Sequence, residues 1–149
     1  MPQDFDALYA LEEACFEQPD RFSRRTMRHL VQRPHAAVWI AEDDGKMAGF
    51  ALVESTEVRG GVRAYIQTIE VGPEWRSQGV GGKLLDRIEG SARLAEAALI
   101  WLHVDAANAG AIRLYEAHGY FCEGRQENFY PLGRAALIYV KRLEDSESL

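Results

Sequence analysis

The sequence predicts an α/β (α+β) domain in which helices pack on a mixed sheet. Three observations predict it. The apolar spacing switches repeatedly between a helical period and an alternating one, and Asp43-Asp44-Gly45-Lys46 gives a hairpin signal between two strand-like segments. A glycine-rich stretch then follows a strand and opens a helix. At 149 residues the chain suits one core. A chain of this size buries roughly 68–70% of its unfolded surface, which needs neither disulfides nor a structural metal. With 47% hydrophobic and 27% charged residues, disorder is excluded as the main state.

The elements follow in order. Residues 4–16 place Phe5, Leu8, Leu11, Ala14 and Cys15 at helical spacing. Ser23 caps a second helix through Met27, Leu30 and Val31, which Pro34 stops. Residues 36–42 and 47–54 read as strands joined by the hairpin turn. Gly60-Gly61 makes the next turn and residues 64–71 the third strand, with Ile66, Thr68 and Glu70 on one face and Gln67, Ile69 and Val71 on the other. Pro73 breaks that strand. From Gly79 the spacing is helical, with Val80, Leu84, Leu85, Ile88 and Ala92 as the apolar stripe. Residues 99–104 form an apolar strand and 109–117 a short helix capped by Asn108 and stopped by Gly119. Residues 121–125 and 135–141 are the closing strands.

No repeat, low-complexity tract or linker interrupts this order, so residues 1–143 are expected to form a single domain, with 144–149 a frayed tail. No run approaches the roughly 18 apolar residues of a membrane span, and the N-terminus lacks the features of a secretory signal. The expected location is cytoplasmic, without a membrane partner. Cys15 and Cys122 suit neither a metal site nor a disulfide framework, and each is expected to be a small buried apolar residue. The 23 acidic against 17 basic side chains give a formal net charge of -6. That disfavours nucleic acid as a partner and favours a cationic substrate.

The loop between the third strand and the next helix reads Arg76-Ser77-Gln78-Gly79-Val80-Gly81-Gly82-Lys83. Its glycines let the backbone approach an anion, and the N–H groups of the helix start favour phosphate oxygens. A Walker A loop fails at Ser77 and Leu84, and a dinucleotide fingerprint fails at Leu84 and at the antiparallel strands upstream. What remains is Arg-x-x-Gly-x-Gly. A second segment runs from Asn108 through Ala111, Leu114 and Tyr115 to Gly119 and Tyr120, similar to Asn-x-x-Ala-x-x-Leu-Tyr-x-x-x-Gly-Phe/Tyr. On these two motifs, in this order with a strand between them, the sequence resembles the GNAT superfamily of N-acetyltransferases. Asn108 to Tyr120 followed by Glu127-Asn128-Phe129-Tyr130-Pro131 is most similar to its RimI type, the ribosomal-protein-alanine N-acetyltransferases.

The resemblance implies a GNAT fold. Its central sheet is mixed and mostly antiparallel, and a strand pair splays apart to bind acetyl-CoA as cosubstrate, with no metal. It implies that the backbone of Ile69, Glu70 and Val71 pairs with the pantetheine arm. Arg76, Ser77, Gln78, Gly79, Val80, Gly81, Gly82 and Lys83 would hold the pyrophosphate. Tyr115 would stand beside the sulfur as general acid, where a phenol of ordinary pKa about 10 can protonate a thiolate whose conjugate acid is near 8.5. Asn108 would both cap its helix and contact the cofactor arm.

The family's base is commonly a Glu on the strand before Asn108, in Trp-Leu-Glu-Val, and the corresponding run here is Trp101-Leu102-His103-Val104. An imidazole, with a pKa near 6.5, can accept a proton at neutrality. His103 is therefore the expected base, and Glu70 the fallback. Phe129 and Tyr130 are the substrate-side candidates, although Leu132-Gly133-Arg134 replaces the family's acidic stretch. The Asp20-Arg21-Phe22-Ser23-Arg24-Arg25 loop, where the resemblance implies substrate entry, departs from the family's Pro-Trp-Ser, and the family's usual first strand before the first helix is either absent or ahead of Met1.

The implied activity is direct acetyl transfer to a primary amine, because neither motif holds a cysteine to carry the acyl group. The acceptor is a protein N-terminal α-amine; alternatives are a small amine, such as a polyamine or aminoglycoside, or a non-catalytic acyl-CoA-binding regulatory module. A monomer or homodimer is expected.

Overall fold

The computed structural model describes residues 4–16 and 21–143; the tail at 144–149 lies outside the described residues. The elements are α1 (Phe5–Cys15), α2 (Arg24–Val31), β1 (Ala36–Asp43), β2 (Lys46–Val58), β3 (Gly61–Val71), α3 (Val80–Leu94), β4 (Ala97–Asp105), α4 (Ala109–Ala117), β5 (Phe121–Gln126) and β6 (Ala136–Arg142). The strands form one six-stranded sheet in the order β1-β2-β3-β4-β6-β5. Strands β3 and β4 run parallel, whereas β1–β2, β4–β6 and β5–β6 are antiparallel. This is the mixed sheet flanked by helices that the sequence predicts.

The chain resolves into two compact units, one made of the residues up to Glu54 with Gln67–Ile88, the other of Ser55–Ile66 with the residues from Glu89 onward. The core of the first unit gathers Phe5, Leu8, Tyr9 and Leu11 of α1 with Met27 and Phe50. Ser23 caps α2 by accepting from the Thr26 N–H, as its sequence position demands. The β1–β2 turn has Asp44 at φ 53° and Gly45 at φ 78°, the left-handed pair of a tight hairpin. Gly49 answers a close approach: a Cβ there would lie 2.6 Å from the Glu70 carbonyl oxygen and 3.2 Å from Leu84 Cδ1.

In the second unit, β4 pairs with β6 from Leu99↔Arg142 to Asp105↔Ala136. Its alternating residues Ile100, Leu102 and Val104 are buried. The parallel register of β3 with β4 covers Val62↔Ala97 to Tyr65↔Trp101, while both strands run on to Val71 and Asp105. Asn108 caps α4 through Ala111 N–H, and Gly119 follows the helix at φ 91°. A buried charge joins the closing strand: Glu89 accepts from Tyr120 O–H at 3.0 Å and from Lys141 Nζ at 3.2 Å.

Both cysteines depart from expectation. Cys122 is exposed, and Cys15 is half-buried with its thiol donating to Val71 O at 3.5 Å. The reason at 122 is that β5 is largely solvent-facing along its length. Strands β2 and β3 also extend past their expected limits, to Val58 and back to Gly61, over residues that are largely exposed and so carry no buried alternation to read. No helix among the described residues is long and apolar enough to cross a membrane.

Candidate active site

The first unit carries the end of β3 and the glycine loop. Gly79 has φ 83°, with open space where a Cβ would stand. The opening bond of α3 runs from Lys83 N–H to Gly79 O at 3.2 Å. The N–H groups of Val80, Gly81 and Gly82 therefore precede the first bond of the helical ladder, with the helix dipole behind them. Arg76, Ser77, Gln78 and Lys83 are exposed around this turn. Arg76 is tied back to the strand, with Nε donating to Val71 O at 3.2 Å, and Gln78 Nε2 donates to Glu74 O at 3.1 Å. The loop is thus shaped by its own side chains. Its donor set fits the diphosphate of a nucleotide-type cosubstrate.

Glu70 lies in this unit and is 3% exposed. Its Oε2 accepts from Thr68 Oγ1 at 2.9 Å. Burial, then the hydrogen bond and charge of Glu12, push its pKa far above the carboxylate range, so it carries its proton at neutral pH. A protonated carboxyl has no capacity to take a proton from an amine.

The second unit gathers the other candidates. His103 Nδ1 is 2.8 Å from the Tyr65 hydroxyl and its Nε2 is 3.3 Å from Gln126 Oε1. An amide oxygen can only accept, which assigns the proton to Nε2 and leaves Nδ1 to accept from Tyr65 O–H. Burial lowers the pKa of His103 and the Gln126 hydrogen bond partly offsets that, so the ring is neutral at neutral pH. The Phe129 ring stacks on it at 4.1 Å between centroids, and Tyr130 meets Phe129 edge-on at 4.9 Å. Trp101 closes against Tyr65 at 4.6 Å and against His103 at 5.3 Å.

Tyr115 is 7% exposed, and its phenol is pushed well above the usual tyrosine range, first by burial and then by the charges that Tyr130 and Tyr65 would bear. It therefore holds its proton across the whole working range. Asn108 uses its Oδ1 for the cap of α4, at 3.1 Å from Ala111 N.

The structure thus brings His103, Phe129, Tyr130 and Tyr115 together in one unit, and Glu70 with residues 76–83 in the other. Tyr65 and Gln126 escaped the sequence reading. The signal for Tyr65 was register: it stands opposite Trp101 on the parallel neighbour, and His103 follows Trp101 by two residues on the same face. Among the described residues no group of three or more His, Cys, Asp or Glu side chains could hold a metal ion.

Residues 5–120 match the Acetyltransferase (GNAT) family, and the chain belongs to that family. It is 31% identical over 119 residues to the [ribosomal protein bS18]-alanine N-acetyltransferase of Escherichia coli strain K12, covering 69% of this chain and 78% of that one. A shorter match, 39% over 80 residues, joins it to the streptothricin acetyltransferase of Streptomyces lavendulae, covering 53% of this chain and 41% of that one. The crystal structure of the Escherichia coli ribosomal-protein-S18-alanine N-acetyltransferase superposes with a TM-score of 0.85 at 27% identity, covering all of this chain and 94% of that one.

Proposed function

We propose that this protein is an acetyl-CoA-dependent N-acetyltransferase whose acceptor is the α-amino group of a protein N-terminus. The observation that carries the reading is the 31% identity, over 69% of the chain, to a [ribosomal protein bS18]-alanine N-acetyltransferase. The streptothricin acetyltransferase match covers only 53% of the chain, which is why a small amine takes second place. We take residues 1–143 as the acetyltransferase domain. We take the location to be cytoplasmic, in keeping with a ribosomal protein as the relative's named substrate.

On the family resemblance, Arg76 to Lys83 are the candidates for the diphosphate, the backbone of Ile69, Glu70 and Val71 for the pantetheine amides, and Asn108 for a contact to the cofactor arm. When bound, acetyl-CoA supplies an acetyl group activated as a thioester. The chain's own residues handle protons. An α-ammonium of ordinary pKa about 8 must shed one before it attacks. The Tyr65 hydroxyl can take that proton on its oxygen while its own proton passes to His103 Nδ1, giving an imidazolium whose Nε2–H rests on Gln126. His103 is thus the proton store and Tyr65 the surface that meets the amine. Tyr115, protonated at every working pH, is the acid for the departing thiolate. Phe129 and Tyr130 present an apolar wall to the first residue of the acceptor.

The test is thiol release from acetyl-CoA with free N-terminal peptides, the same peptides with blocked α-amines, and small amines. Turnover confined to the free peptides is expected. Turnover confined to small amines would move the assignment to the runner-up, and tight acetyl-CoA binding without any turnover would favour a binding module.

A further inference from the structure

Helix α1 presents Glu12 on its apolar side, 1% exposed, four residues from Leu8 and one from Leu11. Its Oε2 accepts from the Phe22 N–H at 2.7 Å, and the Phe22 carbonyl in turn accepts from Tyr9 O–H at 2.7 Å. Both backbone polar groups of Phe22 are therefore held by side chains of α1. The other oxygen, Oε1, is buried and meets no donor, and the same holds for Oε1 of Glu70. The Cys15 thiol, three residues on from Glu12, reaches Val71 O, next to Glu70, at 3.5 Å, which sets this face of α1 against the end of β3 with the two orphaned carboxyl oxygens on the same side. A hydrogen bond between two carboxyls requires a proton on one of them, and a single proton between the facing oxygens satisfies both orphaned atoms. Neutral–neutral pairing would need a second proton for which the Phe22 N–H and the Thr68 hydroxyl, both donors, leave no acceptor.

We infer that Glu12 and Glu70 share one proton and form a positioning pair, tying the peptide of Phe22 through α1 to strand β3 beside the segment assigned to the pantetheine arm. The chain of bonds runs from Phe22 N–H to Glu12, across the shared proton to Glu70, and on to Thr68. Releasing that proton to solvent leaves two buried carboxylates facing each other, and the bond between α1 and β3 is lost. The other titratable and charged groups here are Cys15, whose thiol points to Val71 O, and Arg76, whose guanidinium reaches Cys15 Sγ at 3.6 Å. Arg76 contacts the thiol and the strand carbonyl, so neither carboxyl has a cationic partner among the described residues.

The consequence for catalysis rests on the acetyltransferase reading, whereas the shared proton does not, and two measurements separate them. Infrared spectra of the folded protein at neutral pH should show a protonated-carboxyl C=O band that persists in deuterated buffer with the expected small isotope shift. The band should disappear in both Glu70→Gln and Glu12→Gln. Each carboxamide keeps the pair's net charge and supplies an N–H donor that cannot be titrated. Absence of the band in the wild-type protein would overturn the inference whatever the enzyme does. In kinetics, the KM for acetyl-CoA of the wild type should climb about tenfold per pH unit once the shared proton leaves. Both variants should give a flat profile over that interval. A wild-type climb repeated unchanged in both variants would overturn the positioning role. A hundredfold fall in kcat of Glu70→Gln at unchanged KM would instead make Glu70 a proton acceptor and overturn it as well.

Discussion

The Tyr65 hydroxyl lies 2.8 Å from Nδ1 of His103, while the far side of that imidazole faces the Gln126 amide oxygen. Two strands that run parallel supply the pair, and neither residue is charged at neutral pH. The arrangement fixes the tautomer, and in the proposed mechanism the Tyr65 oxygen is the group that meets the incoming amine.

Removing either member should cost the same step. Tyr65→Phe and His103→Ala are each expected to lower kcat by about 100-fold with little change in KM for acetyl-CoA, and the double variant should be no worse than the poorer single one. Steady-state kinetics on the three variants checks this; additive losses would show that the two act independently.

The pH dependence follows from the direction of the His103 shift. Burial lowers its pKa, so the neutral acceptor persists to more acidic pH than an ordinary imidazole. The acidic limb of kcat/KM should fall with a midpoint below the usual 6.5, and Gln126→Leu, which removes the bond that favours the charged ring, should move it lower still. A limb above that value would argue for a different proton acceptor.

Tyr115 offers the converse. Its phenol is held protonated by burial, so it cannot set an alkaline limb in the working range. Tyr115→Phe should reduce kcat by roughly 100-fold while leaving acetyl-CoA affinity, measured by calorimetry, within a few-fold of wild type.

Glu70 links the site to stability. Its folded pKa is raised, so the folded state keeps a proton that the unfolded chain releases near the ordinary value of 4.5. The stabilisation is complete below that value and is lost as pH rises towards the raised one, at a limit of about 1.4 kcal/mol per pH unit. Urea denaturation across that interval should show wild type losing stability with pH and Glu70→Gln losing less.

Two glycines separate packing from ligand effects. Gly49→Ala forces a Cβ within 2.6 Å of the Glu70 carbonyl oxygen, a sheet atom with nowhere to go, and should cost about 3 kcal/mol in denaturant midpoints. Gly79→Ala meets nothing within 4 Å, so only its φ of 83° is strained. That costs about 1 kcal/mol, and its larger effect should be a raised KM for acetyl-CoA.

Much of this was legible in the residues. Ser23 and Asn108 cap the helices their spacing assigns to them, and the switch from alternation to helical period at Gly79 locates the loop. What escaped was tertiary. Tyr65 gains its meaning only from the parallel register with Trp101, which a single strand's pattern cannot supply. Glu12 looks like one acid beside another at Glu13, yet it falls on the apolar stripe four residues after Leu8, and a carboxyl on that stripe is the signal that was there to use. Cys122 went the other way, an apolar-looking residue on a strand that solvent covers.

The most direct measurement uses one peptide that carries both a free N-terminal alanine and an internal lysine, incubated with the protein and acetyl-CoA, with the product mapped by tandem mass spectrometry. The account predicts acetyl on the α-nitrogen alone, at a rate that Tyr65→Phe cuts by about 100-fold. Acetyl on the lysine ε-nitrogen, or an α-nitrogen product formed equally well by Tyr65→Phe, would contradict it.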